Sequence, residues 1–168
     1  MKVVLYMAIT VNGFIAKEDD DTSWISKEEW DSYSLAVRTA GNLIVGHRTY
    51  EILTKQPEFS EFKDVKLVIV AEKDFQTLNS NHLVAHSPKE ALALLDDFEQ
   101  VVVAGGGGLN AGFMKENLID ELYLDVEPIA FGTGIRLFHG DDFEAKLKLV
   151  ETRKLSSNEI QLHYRVMK

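Results

Sequence analysis

Short apolar runs alternate with amphipathic stretches through Asn117, after which only strand-like patterns follow. Val3–Ile9 is continuously apolar and rich in β-branched residues, the signature of a strand buried on both faces inside a sheet. Asn12-Gly13 is a turn dipeptide, and Phe14-Ile15-Ala16 resumes briefly before the acidic stretch Glu18–Asp21, which reads as a solvated loop. Ser26-Lys27-Glu28-Glu29 has the form of a capping box. Trp30, Tyr33, Val37 and Ala40 then recur at helical spacing up to Gly41, which predicts a helix over 26–40. Asn42–Val45, Lys66–Ala71, His82–His86 and Gln100–Ala104 read as buried strands. Between them, His47–Thr54, a segment opened by Ser87-Pro88 and Leu109–Asn117 read as helices. Asp120–Glu127, Lys146–Leu155 and Glu159–Met167 alternate like strands with no helix between them.

This order predicts one α/β domain over 1–168, a sandwich whose sheet is parallel in the middle and antiparallel at its C-terminal edge. Its 168 residues, 45% hydrophobic and 27% charged, suffice for one buried core. The net charge of −9 argues against broad contact with nucleic acid or an anionic membrane, so positive contacts to any anionic ligand must be local. Cysteine is absent and the five histidines are scattered, so neither a disulfide framework nor a metal site is expected. No apolar stretch approaches the ~20 residues of a membrane span, and the first apolar run ends at Thr10 without a cleavage-site pattern. A soluble, cytoplasmic protein is the expectation.

The chemistry concentrates at strand ends. Val101–Ala104 stops in four glycines, Gly105 to Gly108, where a ligand can approach the backbone and the following helix offers free amides. Asn12-Gly13 and Gly46-His47-Arg48-Thr49 end two other strands, and in open α/β sheets such ends converge on one crevice. Gly106-x-Gly108-x-x-Ala111 matches the alanine form of the dinucleotide fingerprint. It follows the fourth or fifth strand rather than the first, which argues against a Rossmann domain. No Gly-Lys-Ser/Thr completes a phosphate-binding P-loop.

The segment Asn42–Glu51, with its strand–Gly–basic–Thr–aromatic order, resembles the dihydrofolate reductase fold, as does the turn Val103–Gly107. Leu118–Leu124 followed by Pro128, Gly132-Thr133-Gly134 and Leu137-Phe138 resembles the reductase domain of riboflavin biosynthesis, here as a stand-alone domain. The resemblance implies a three-layer sandwich and an NADPH-dependent reductase acting on a C=N or C=O bond of a small heterocycle or sugar amine. It also implies a cis Gly105–Gly106 peptide and a homodimer paired through the C-terminal strands. By position, Gly46, His47, Arg48 and Thr49 would hold the 2′-phosphate and pyrophosphate, and Gly105, Gly106, Gly107, Gly108 and Leu109 would pass under the pyrophosphate and nicotinamide. Asn12 to Ile15 would flank the nicotinamide, and Ala71 and Lys73 the adenine, with Glu72 a departure from the pattern. A proton donor is implied in the early turns of the first helix. If the capping box occupies Glu29, the candidates are Asp31, expected to be buried beside the tryptophans, and Glu28; Trp24 would wall the substrate cleft. A true dihydrofolate reductase, with Arg38 for the glutamate tail, and a non-catalytic nucleotide-binding module are the alternatives.

Overall fold

The computed structural model describes residues 1–140 and 142–168. The first half runs β1 (Lys2–Thr10), β2 (Phe14–Ala16), α1 (Lys27–Ala40), β3 (Asn42–Gly46), α2 (His47–Leu53), a 3-10 turn (Pro57–Phe62), β4 (Lys66–Val70) and β5 (His82–Ala85). The second runs α3 (Pro88–Ala93), β6 (Gln100–Val103), α4 (Gly107–Lys115), β7 (Glu121–Glu127), β8 (Ile135–Arg136), β9 (Lys146–Lys154) and β10 (Ile160–Met167). The main sheet has the order β5-β4-β3-β6-β1-β7-β10-β9. Its strands are parallel from β5 to β7, and β10 then pairs antiparallel with both β7 and β9. The expected parallel centre and antiparallel edge are both present.

Because side chains alternate across a strand, the central strands feed two cores. Leu43, Val45, Leu67, Ile69 and Val102 pack with Tyr33 and Val37 of α1 and with Phe62 of the 3-10 turn. Ile44, Val68, Val101 and Val103 point the other way, toward Ala91 of α3 and Phe113 of α4. Two helical layers thus sandwich the sheet. Phe62 and Phe113 are almost fully enclosed, and burial of such a ring contributes on the order of 2–3 kcal/mol.

Three features go beyond the sequence pattern. The 3-10 turn closes over α1; β2 and β8 form a separate two-stranded sheet; and α4 begins at Gly107, two residues before the apolar periodicity does. Gly107 tolerates no side chain, because a Cβ there would lie 2.3 Å from the Arg136 carbonyl oxygen. Among the described residues, no helix is long and apolar enough to cross a membrane.

Candidate functional site

A cleft of about 1090 Å³ opens at the carboxyl ends of β1, β3 and β6. Two of the three glycine-bearing strand ends meet there directly: the Gly46 amide donates to the Gly105 carbonyl at 2.7 Å. Gly105–Gly106 is a cis peptide. The turn is held from below by Asn110, which is fully buried; its Oδ1 accepts from the Gly105 amide at 3.1 Å and its Nδ2 donates to the Leu137 carbonyl at 3.0 Å. Asn110 escaped the sequence reading, where it was one polar position in a helix. Gly106 is the N-cap of α4 and makes no side-chain cap bond, so the first turn of the helix reaches the cleft without a capping side chain.

Gly46, His47, Arg48 and Thr49 all line the cleft, as do Ile15 and Ala71. So do Gly105 to Gly108 and Leu109. Asn12 does not. Its side chain staples the loop after β1 to Phe131, accepting from Thr10 Oγ1 at 2.8 Å and donating to the Phe131 carbonyl at 2.6 Å. Lys73 is exposed and outside the lining, whereas its neighbour Glu72 is part of it. Trp24 is not in the wall either: it packs edge-on against Phe131, 5.4 Å between centroids, and donates to the Asp21 carbonyl. The tryptophan that lines the cleft is Trp30, fixed by its indole N–H to Glu61 at 3.0 Å.

The acidic stretch is more than a solvated loop. Asp20, held at a positive φ of 67°, receives Arg48 Nε at 2.7 Å and its terminal nitrogen at 2.6 Å, while Asp21 receives Lys17 at 2.6 Å and the Ser23 amide at 2.9 Å. The expected phosphate ligand Arg48 is therefore already paired, and an anion binding it must compete with Asp20.

The first turn of α1 departs furthest from expectation. Ser26 caps the helix, accepting the Glu29 amide at 3.0 Å, but the return half of the capping box is missing. The Ser26 amide goes instead to Glu127 Oε1 at the end of β7, at 2.8 Å. Glu29 is thereby released from capping and is buried, 4% exposed, in the cleft wall. Burial first, and then the nearby carboxylates of Asp125, Glu127 and Glu159, hold its carboxyl well above the ordinary carboxylate range. Asp31 lines the cleft, yet its side chain is 58% exposed and pairs with Lys27 at 2.5 Å, so the expected burial beside the tryptophans is not found. Glu28 is exposed and outside the lining. On a helix the three acids point in different directions, and only Glu29 shares the buried stripe with Tyr33 and Val37, at i+4 and i+8.

Beneath Glu29 lies a polar network in the sheet. Tyr6 donates its hydroxyl to Asp125 at 2.7 Å, and Gln161 donates to both Asp125 and Tyr6 at 2.8 Å. Burial pushes the Asp125 carboxyl up to about 6 against these bonds. The Tyr6 and Tyr33 hydroxyls are also pushed up, primarily by burial. Glu127 is raised too, by burial first and then by the nearby Glu159 carboxylate, against the bond it accepts from the Ser26 amide.

A glycine cradle at the parallel strand ends, an acid-bearing first helix and an antiparallel C-terminal pair are the features by which the chain can be compared with known proteins. It is 32% identical over 169 residues to the Bacillus subtilis protein YwjB, covering 97% of each chain. It is 30% identical over 132 residues to the dihydrofolate reductase type 1 of Escherichia coli, covering 76% of this chain and 78% of that one. The crystal structure of a Shewanella sp. PV-4 protein ascribed to riboflavin biosynthesis superposes with a TM-score of 0.81 at 16% identity, covering 100% of both chains. The model of the RibD C-terminal domain matches residues 1–161, so the chain belongs to the RibD C-terminal domain family, with a dihydrofolate reductase-like fold.

Proposed function

We propose that the protein is a reductase that uses NADPH to reduce a C=N bond in a small nitrogen heterocycle, with Glu29 as the proton donor. The observation that carries this reading is a buried carboxyl, held above its ordinary range by that burial, in the wall of the same cleft that holds the glycine cradle. The residues fit the cofactor: Gly105 to Gly108 bring backbone to the cleft surface, the uncapped amides of α4 suit a pyrophosphate, and Arg48 and His47 add local positive charge. When bound, NADPH would supply a hydride. The chain's own part is to deliver a proton to the nitrogen on which charge develops and to keep that proton available at neutral pH. Glu29 suits both needs, because it is buried in the cleft wall and burial favours its neutral form, whereas the Asp31 and Glu28 side chains stand in water.

The test is Glu29→Gln, assayed by oxidation of NADPH against a panel of pterin, pyrimidine and dihydrofolate substrates. Turnover should fall by ~10²–10⁴-fold with NADPH affinity preserved, the range typical of general acid catalysis. Full turnover in Glu29→Gln, together with loss in Asp31→Asn, would move the acid to Asp31. We also propose that two copies pair through β9, an edge strand exposed along its whole length that carries Leu147, Leu149 and Val150 outward.

A further inference from the structure

The charges lining the cleft are strongly one-sided. Among the described residues only two lysine or arginine side chains line it, and each is already tied to a carboxylate in the same wall: Lys27 to Asp31 at 2.5 Å, and Arg48 to Asp20 at 2.6 Å. The wall built by α1 and the 3-10 turn presents Glu29, Trp30, Asp31, Tyr33, Glu58 and Glu61. Among the described residues, no cation pairs with Glu58, and the arginine that approaches Glu61 at 3.7 Å, Arg38, lies outside the lining. Three histidines also line it, away from that wall: His47 at the start of α2, His86 after β5, which faces Asp74 at 3.3 Å, and His139, whose backbone bonds Gly107. A dinucleotide's phosphates thus have a place at one part of the cleft, and an anionic group on the other reactant has none.

We infer that the substrate is a flat nitrogen heterocycle, neutral or cationic, that carries neither a phosphate nor a carboxylate group. Trp30, half-buried and backed by Tyr33, gives a ring an apolar surface, and the carboxylates around it accept ring N–H and amino donors. A phosphate placed against Glu58 and Glu61 would meet two like charges, offset only by Arg38 on the far side of Glu61 at 3.7 Å, outside the lining. The inference rests on the reductase reading of the cleft and narrows it, since it excludes ribose-phosphate and glutamate-tailed substrates alike.

The experiment is equilibrium binding to the NADPH-saturated protein of two matched pairs, 6-hydroxymethylpterin with 6-carboxypterin and riboflavin with its 5′-phosphate. In each pair that binds, the uncharged member should bind about tenfold more tightly at low salt, and the ratio should contract below about threefold at roughly 0.5 M salt as the carboxylates are screened. The double variant Glu58→Lys/Glu61→Lys should reverse the preference. Equal or tighter binding of the anionic members in the wild type, an unchanged ratio in the double variant, or binding of neither member of either pair overturns the inference. Titration of NADPH alone is read separately, and its failure to bind overturns the reductase reading instead.

Discussion

Asp125→Asn isolates the energetics of the polar network under the cleft. The Asp125 carboxyl is 1% exposed and is pushed up to about 6 from an ordinary 3.8. In the unfolded chain it therefore loses its proton near pH 4, while in the fold it keeps the proton until near pH 6. Between those limits the folded state holds more protons, so stability falls as pH rises and is level again above the folded value. About two pKa units correspond to roughly 3 kcal/mol lost across that window. Asparagine cannot ionise, so this loss disappears. Its amide must face either Tyr6 or Gln161, and the rearranged hydrogen bond costs about 1 kcal/mol. Urea unfolding of Asp125→Asn should therefore show a protein about 1 kcal/mol less stable than its parent at pH 4 and about 2 kcal/mol more stable at pH 7.5. Both proteins should carry Glu29→Gln, which silences the neighbouring acid and leaves Asp125 as the difference. Parallel stability–pH curves for the two would refute the assignment of a buried, late-titrating carboxyl to this position.

Three further outcomes follow from the cleft and its surroundings. Gly107→Ala should lower the urea midpoint by the equivalent of 1–3 kcal/mol or more, despite alanine's better helix propensity, because its Cβ would meet the Arg136 carbonyl at 2.3 Å. Arg48→Ala should erase most of an NADPH-over-NADH preference of ~1.5–3 kcal/mol in calorimetric titration; equal wild-type affinities would show that Asp20 never releases the guanidinium. Light scattering should give a dimer at micromolar concentration, and Leu149→Lys, an exposed substitution on β9, should give a monomer of unchanged thermal stability.

The fold was legible because its signals were local. Continuous apolar runs marked strands buried on both faces, and Ser26, Gly41 and Ser87 marked helix ends that the structure places where expected. The glycine turn was legible for the same reason, and with it the run from Gly46 to Thr49. What escaped depends on partners distant in sequence. The β2–β8 pair is too short to show a period, and the 3-10 turn has no helical stripe. Trp24 and Trp30 are equally apolar in the sequence, and the ring that Trp24 packs on outside the cleft, Phe131, lies more than a hundred residues on. The Asp20–Arg48 pair likewise joins a loop and a helix whose charges each had a plausible local reading.

The acids of α1 show how a correct local motif can mislead about which carboxyl enters the cleft. Ser26-Lys27-Glu28-Glu29 satisfies the capping-box pattern, and its serine does cap α1, but the reciprocal bond depends on which carboxylate reaches the Ser26 amide first. Glu127, at the end of β7, takes it, and Glu29 turns into the cleft. Glu127→Ala should therefore let Glu29 swing back to complete the box. The stability loss should be at the low end of the ~0.5–2 kcal/mol typical of a lost cap, because one carboxylate replaces another. The Glu29 carboxyl, followed by its ¹³C shift and assigned through Glu29→Gln, should drop into the ordinary carboxylate range. Glu127→Gln keeps an acceptor for Ser26 and removes only the charge, so Glu29 should remain in the cleft and titrate somewhat lower than in the wild type. In a turnover assay the alkaline limb, where activity falls as the acid deprotonates, should move to lower pH in both variants, and much further with alanine. If Glu29 titrates in Glu127→Ala as it does in the wild type, then burial alone sets its proton affinity and the exchange of capping partners plays no part.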